Sequence, residues 1–222
     1  LLLVNSATGV KQQTYYSFAQ HFANLGFVVI TYDYRGVALS KPDQLKGFKA
    51  NMRTWGNTDY KAVTDFIEEH YPNHRKFLIG HSVGALILGM NKGSEIFEKF
   101  CFVATQNTYF GHLSPRIKML GLLGFGLYQP VLTRVKGYFK TYFVNLGESL
   151  PKGVSDDWRT LIMNRKSVNR LLEKTENFSK NLHQEVLYLN MQDDDWITET
   201  GMKLLMNETY VNMKPIYRTV HP

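Results

Sequence analysis

The stretch K76-F-L-I-G-H-S-V-G-A-L-I-L-G89 decides the fold because it holds a strand, a turn and the start of a helix in one short run. Lys76–Ile79 is typical of a buried strand, and Gly80–Gly84 has the pattern G-x-S-x-G. In such a turn Ser82 adopts a strained backbone, and the flanking glycines leave room for it. The pattern predicts a nucleophile raised above the sheet. A serine that only caps a helix is the alternative, but it would not explain both glycines.

Short apolar runs alternate with amphipathic stretches along most of the chain. Runs of this length and composition predict strands buried on both faces of a sheet. The runs are L1-L-L-V4, F27-V-V-I-T-Y32, K76-F-L-I79, F100-C-F-V-A104, E185-V-L-Y-L189 and P215-I-Y-R-T-V220. Strand–helix–strand order with these lengths predicts right-handed crossovers and a doubly wound, mostly parallel α/β sheet.

The alternation stops between residues 107 and 181, where the pattern is helical and predicts no strand. We therefore expect a core formed by residues 1–106 and 182–222, with a helical cap insertion at 107–181. Such a cap would cover the strand ends near Ser82 and shape a pocket. Its apolar residues predict either a substrate-binding wall or the cap's own core; they are Met119, Leu120, Leu122, Leu123, Phe125 and Leu127.

The chain resembles the α/β-hydrolase superfamily along its whole length. The resemblance is carried by the G-x-S-x-G turn, by V4-N-S-A-T-G-V10, and by D33-Y-R-G36 with Ser40. It implies an α/β-hydrolase fold with a helical cap and a structural role for Arg35.

Three further motifs resemble a little-characterised group of bacterial predicted α/β hydrolases. They are T8-G-V-K-Q12, W55-G-N-T-D59, and L146-G-E-S-L-P-K-G-V154 with Trp158. This narrower resemblance carries no settled substrate.

Two backbone groups are the predicted oxyanion donors. The N–H of Val83 lies at the start of the helix after the elbow, where it can face a developing oxyanion. The resemblance implies the N–H of Ala7 as the second donor. Members of the superfamily usually have His-Gly at the positions of Asn5-Ser6, so this chain departs from the pattern there.

The catalytic acid is expected after the strand E185-V-L-Y-L-N190, in the run M191-Q-D-D-D-W-I-T198. The family order Ser, acid, His implies Asp194, with Asp195 second and Asp193 third. A solvated acidic loop is the alternative. The base is open: His221 is the one histidine after the acid, and the alternative is a histidine beyond Pro222. His81 is expected to point away from Ser82 and to pack.

Composition limits the remaining possibilities. The net charge is +7 and 44% of residues are apolar, and the basic residues look scattered, so we expect an ordinary solvated surface. No zinc spacing, dinucleotide fingerprint or DNA-binding motif is present, which predicts no metal, no cofactor and no nucleic-acid partner. One cysteine, Cys101, and no signal peptide favour a cytoplasmic protein without a stable membrane anchor. The absence of an initiator methionine suggests a fragment, and the oligomeric state is open.

The sequence therefore predicts a serine hydrolase that cleaves a small-to-medium hydrophobic ester, or a related acyl bond, through an acyl-enzyme. An acyltransferase on the same scaffold is one alternative. A non-catalytic binding protein with a hydrolase fold is the other.

Overall fold

The computed structural model describes residues 1–141 and 147–221. Eight strands are assigned: β1 (Leu2–Asn5), β2 (Val29–Thr31), β3 (Phe77–His81), β4 (Lys99–Val103), β5 (Tyr138–Phe139), β6 (Leu150–Pro151), β7 (Glu185–Met191) and β8 (Lys214–Val220). Nine α-helices are assigned: α1 (Tyr16–Asn24), α2 (Met52–Thr54), α3 (Lys61–His70), α4 (Val83–Leu86), α5 (Pro115–Gly121), α6 (Gln129–Lys136), α7 (Lys152–Met163), α8 (Val168–Leu172) and α9 (Glu199–Glu208). Leu122–Tyr128 forms a π-helical segment that joins α5 to α6.

Six strands form one parallel sheet in the order β2-β1-β3-β4-β7-β8. Each of the six apolar runs in the sequence corresponds to one of these strands, so the predicted parallel sheet is confirmed. The four interior strands each carry an apolar side chain that is almost fully buried: Leu3 on β1, Leu78 on β3, Phe102 on β4 and Val186 on β7. The burial on both faces that the apolar runs predicted holds fully for β1, whereas β3, β4 and β7 alternate buried residues with half-buried or exposed ones, so the two faces of the sheet are unequally covered.

The segment between β4 and β7 is mainly helical, but it contains a short antiparallel sheet of β5 and β6. The expectation that no strand would occur between 107 and 181 was wrong. Each strand has two residues, too few for an alternating pattern to register in sequence. We call residues 107–181 the cap segment; its division from the core remains a prediction.

The cap segment is tied to the core by buried polar contacts. The Trp158 indole Nε1 donates to Thr8 Oγ1 at 3.0 Å, and the Glu148 N–H donates to the Gly9 carbonyl at 2.8 Å. In addition, Asp157 accepts from the N–H of Met52 at 3.1 Å. The first two bonds join the cap segment to the loop after β1, and the third joins it to the start of α2, so the cap segment and the core pack together.

The motifs that suggested the narrower group have structural roles here. Trp55 stacks on Tyr34 with ring centroids 4.8 Å apart, and its indole donates to the Arg35 carbonyl. Arg35 pairs with Asp59 at 2.6 Å, which agrees with the structural role expected for this arginine. Of the third motif, Leu146 lies outside the described residues.

Candidate active site

Ser82 occupies the turn between β3 and α4 with φ 52° and ψ −117°. A positive φ is costly for a residue with a side chain, so the surrounding structure must hold it in place. The Ser82 carbonyl accepts from Thr105 Oγ1 at 3.0 Å, and its N–H donates to the Val103 carbonyl at 2.9 Å. The hydroxyl makes no capping hydrogen bond with the helix. A helix cap therefore does not account for this serine.

The two glycines of the motif let α4 approach the sheet. A Cβ on Gly80 would lie 2.8 Å from the Ala85 backbone nitrogen, and a Cβ on Gly84 would overlap the Asn5 carbonyl oxygen. Both contacts involve backbone atoms of neighbouring elements. The glycines thus serve the close packing of helix and strand at the turn.

A cavity of about 270 Å³ opens beside Ser82. It lies between the carboxyl ends of the central strands and the cap segment, where ligands bind in open α/β sheets. Most of its lining is apolar, and the cap contributes Leu113, Ile117, Leu120, Gly121, Phe125, Trp158 and Ile162. Of the predicted cap wall, Leu120 and Phe125 line the cavity, whereas Met119, Leu123 and Leu127 are exposed on the other side.

Asp194 lines the same cavity as Ser82 and is half-buried. Its neighbours Asp193 and Asp195 are exposed and do not line this cavity, and Asp195 lies 3.6 Å from Arg116. The Asp194 carboxylate accepts from the N–H of Trp196 at 2.8 Å, which fixes its loop. The structure thus brings Ser82 and Asp194 together, and the role of Asp194 as the acid stays a prediction.

Gln106 is a buried residue at the cavity that the sequence analysis did not single out. Its amide donates to the Trp196 carbonyl at 2.5 Å and accepts from the Thr198 N–H at 2.9 Å. It therefore anchors both ends of the loop after Asp194. No local sequence signal marks it, because its partners lie some ninety residues along the chain.

The two predicted oxyanion donors differ in this structure. Val83 is the first residue of α4, so its N–H has no acceptor within the helix. The N–H of Ala7, which also lines the cavity, donates to the Tyr15 hydroxyl at 2.9 Å. The Ala7 donor is therefore already engaged. Asn5 is fully buried, and its amide donates to the Gly84 carbonyl at 3.2 Å, so it supports the turn.

His81 packs edge-on against the Tyr15 ring, with centroids 6.0 Å apart, as the expectation of a packing role has it, and it also lines the cavity. Its Nδ1 lies 2.8 Å from the Tyr15 hydroxyl, which completes a chain from Ala7 through Tyr15 to His81. Burial lowers the pKa of His81, and the charge of Asp194 partly opposes that shift. Burial also raises the pKa of Tyr15 to about 12, so both groups are neutral near pH 7.

The remaining candidate histidine lies away from the cavity. His221 follows β8, is exposed, and has its Nδ1 2.5 Å from Gln192 Oε1. Gln192 belongs to the loop that carries Asp194, so His221 contacts that loop, but His221 does not line the cavity. Pro222 lies outside the described residues.

No group of three or more histidine, cysteine, aspartate or glutamate residues is arranged to hold a metal within residues 1–141 and 147–221. Over the same part of the chain, no helix is long and apolar enough to cross a membrane.

Comparisons with known proteins agree with this architecture. A family model described as serine aminopeptidase, S33, matches residues 4–91, which run from β1 through the Ser82 turn. No curated protein gives a significant sequence match.

Many solved structures share the fold at low sequence identity. A monoacylglycerol lipase of Paleococcus ferrophilus is 15% identical with a TM-score of 0.59, covering 98% of this chain and 83% of the lipase. A soluble variant of the Saccharomyces cerevisiae monoglyceride lipase is 15% identical with a TM-score of 0.60, covering 98% and 76%. The RedJ thioesterase of Streptomyces coelicolor is 16% identical with a TM-score of 0.56, covering 100% and 81%. The chain therefore has the α/β-hydrolase fold, and residues 4–91 are similar to the S33 family model.

Proposed function

We propose that the protein is a serine hydrolase that cleaves a small-to-medium hydrophobic ester, or a related acyl bond, through an acyl-enzyme. One observation carries this proposal: Ser82 stands on a strained turn, its hydroxyl does not cap the helix, and the residue lines an apolar cavity. Asp194 lines the same cavity. The similar solved structures include lipases and a thioesterase, which supports acyl-bond hydrolysis as the reaction class.

In the proposed reaction, Ser82 Oγ attacks the substrate carbonyl carbon while a histidine takes the hydroxyl proton. The carbonyl oxygen becomes an oxyanion, which the Val83 N–H stabilises. Collapse of the tetrahedral intermediate expels the alcohol, and the histidine returns the proton to it. Water then attacks the acyl-enzyme carbonyl carbon while the histidine takes a proton from it. The second tetrahedral intermediate expels Ser82 Oγ, the histidine returns the proton to that oxygen, and the acid is released.

The second oxyanion donor requires a rearrangement. Because the Ala7 N–H donates to Tyr15, it becomes available only when the Tyr15 hydroxyl moves aside. Tyr15→Phe would remove this acceptor and leave the Ala7 N–H available to the oxyanion. We therefore assign Ala7 as a donor in the substrate complex.

The apolar cavity also supports the choice of substrate. Its volume of about 270 Å³ is near the lower end of ordinary ligand pockets, which suits a short or medium acyl group. Hydrolysis of p-nitrophenyl esters of increasing acyl length tests this. The hydrolysis rate should rise with acyl length until the acyl group fills the cavity. Ser82→Ala should abolish hydrolysis of all these esters. A rate that rises with acyl polarity would contradict the proposal.

The base and the acid can be tested with matched pairs. Asp194→Asn should lower the ester hydrolysis rate by about a hundredfold or more, whereas Asp195→Asn should leave it nearly unchanged. His221→Gln and His81→Gln compare the two candidate histidines. A loss in His221→Gln alone would assign the base to His221. If neither replacement lowers the rate, the base is neither His221 nor His81, which favours the alternative of a histidine beyond Pro222.

A further inference from the structure

The outer face of the cap carries a row of apolar side chains that nothing in the described structure covers. They occur every four residues along α5, the π-helical segment and α6: Met119, Leu123, Leu127, Val131 and Val135. Each is more than half exposed, from 53% for Leu123 to 69% for Val135. We call these five residues the outer stripe. Between Ile117 and Thr133, every exposed residue of this segment belongs to it.

The change in helix type keeps the stripe on one side. In an α-helix four residues exceed one turn of 3.6, so a row at this spacing drifts around the helix. A π-helix has a wider turn, because its hydrogen bonds span five residues, so the same spacing falls short of a turn. The π-helical segment Leu122–Tyr128 lies in the middle of the row, and its drift opposes that of α5 and α6.

The opposite side of the same helical run already has a role. Ile117, Leu120 and Phe125 face the cavity beside Ser82. The inward side is therefore explained by the fold, and the outward side is not. Exposed apolar patches of this kind are typical of interaction sites.

The charged residues on the helices that carry the stripe are all basic. By sequence, no aspartate or glutamate occurs between Glu98 and Glu148. The basic residues on or beside the stripe are Arg116, Lys118, Arg134, Lys136 and Lys140. Arg134, Lys136 and Lys140 make no ion pair with the described residues, and Lys118 lies over the Phe110 ring at 5.5 Å. Of the acids nearby, Asp195 faces Arg116 and Asp156 faces Lys152.

We propose that the outer stripe docks the protein on an anionic lipid surface, with the stripe in the acyl boundary and the flanking lysines and arginines at the headgroups. An apolar row bordered by unpaired basic residues is the pattern of helices that lie in the membrane interface. The basic residues beside the stripe favour an anionic lipid surface over a second copy of the chain. If two stripes packed face to face, the basic residues of the two copies would also lie close together and repel each other. Docking is peripheral and reversible.

Flotation with lipid vesicles tests the proposal on the intact chain. The protein should float with vesicles of phosphatidylcholine and phosphatidylserine, and only weakly with phosphatidylcholine alone. The double variant Leu127→Gln/Val131→Gln should lower the partition coefficient by at least about tenfold. The matched control Leu25→Gln/Leu39→Gln, which changes two other exposed leucines, should leave it unchanged. Each of Arg134→Gln and Lys136→Gln should lower it roughly fivefold at low salt.

A site-specific probe makes the test independent of folding defects. An environment-sensitive dye on Leu127→Cys should shift to the blue on adding anionic vesicles, and the same dye on Leu25→Cys should not. Cys101 is a poor competitor, because burial raises the pKa of its thiol to about 11.

Three outcomes would overturn the proposal: no flotation of the unaltered chain, equal flotation of the stripe and control variants, or a dimer in solution that only the stripe variant abolishes. The last would assign the stripe to self-association. None of these readouts depends on ester hydrolysis, so the proposed function stands or fails separately.

Discussion

Two serines in this molecule share one unusual backbone conformation, and their surroundings differ. Ser82 has φ 52° and ψ −117°, and Ser167 has φ 45° and ψ −122°. Each immediately precedes a short helix, α4 and α8. Ser167 is fully buried, and its Oγ lies 3.2 Å from both the N–H and the hydroxyl of Thr108. The Ser82 hydroxyl instead borders the cavity. A strained turn therefore does not by itself mark a nucleophile; access to the hydroxyl does.

Reaction with a fluorophosphonate should separate the two serines most strongly. Ser82→Ala should lower the labelling rate by at least about a thousandfold, because the attacking oxygen is lost. Ser167→Ala should change it by no more than about twofold, because Ser167 does not line the cavity. Intact-mass and peptide mapping would locate the adduct. An adduct that persists in Ser82→Ala, or that maps to Ser167, would break the comparison.

The residue two positions after each serine should show the next largest effect. A Cβ on Gly84 would overlap the Asn5 carbonyl oxygen, so Gly84→Ala should lower the free energy of unfolding by about 2 kcal/mol. The corresponding change at α8, Asn169→Ala, removes one exposed hydrogen bond to the Glu208 carbonyl and should cost about 0.5 kcal/mol. Denaturant unfolding measures both. Equal losses would mean that the glycine is not required by packing.

Replacing each serine by glycine should reveal the strain itself. Ser82→Gly removes a side chain from a positive φ and should raise the free energy of unfolding by about 1 kcal/mol. Ser167→Gly gains the same relief but loses the bonds to Thr108, so its net change should stay within about 0.5 kcal/mol. The comparison fails if Ser167→Gly is the more stabilising of the two in thermal or denaturant unfolding.

The smallest expected effect concerns the residue before each serine. That residue is the half-buried His81 in one case and the exposed Lys166 in the other. Burial lowers the pKa of His81 in the folded chain below its ordinary 6.5. The unfolded chain then binds a proton more readily, so this contribution to stability is complete above about pH 6.5 and is lost as the pH falls through the lowered value.

The unaltered chain should therefore lose stability on mild acidification, and His81→Gln should lose less. His70→Gln, a change at an exposed histidine, serves as the control. Unfolding curves measured at several pH values would show the difference. Parallel curves for the unaltered chain and His81→Gln would contradict the assignment.

Much of the fold was predictable because the buried parallel strands leave a strong local signature. The turn at Ser82 was predictable for the same reason, since strand, glycines and helix are contiguous. The turn at Ser167 was not predictable, because its neighbours Lys166 and Val168 carry no turn signal. Its conformation depends on contacts with Thr108. The engagement of Ala7 by Tyr15 likewise depends on how a loop meets the start of α1, which no local pattern encodes.

The bonds between cap and core have a consequence for how a ligand enters. Trp158 on α7 holds Thr8, and Glu148 holds Gly9, both directly after Ala7 in the chain. An outward swing of the cap that moved α7 would break these bonds or pull the loop with it, and the Ala7 N–H would lose its place. Admission and reaction would then alternate in time: an open cap admits a molecule to an unassembled site, and only a closed cap restores the position from which Ala7 can act.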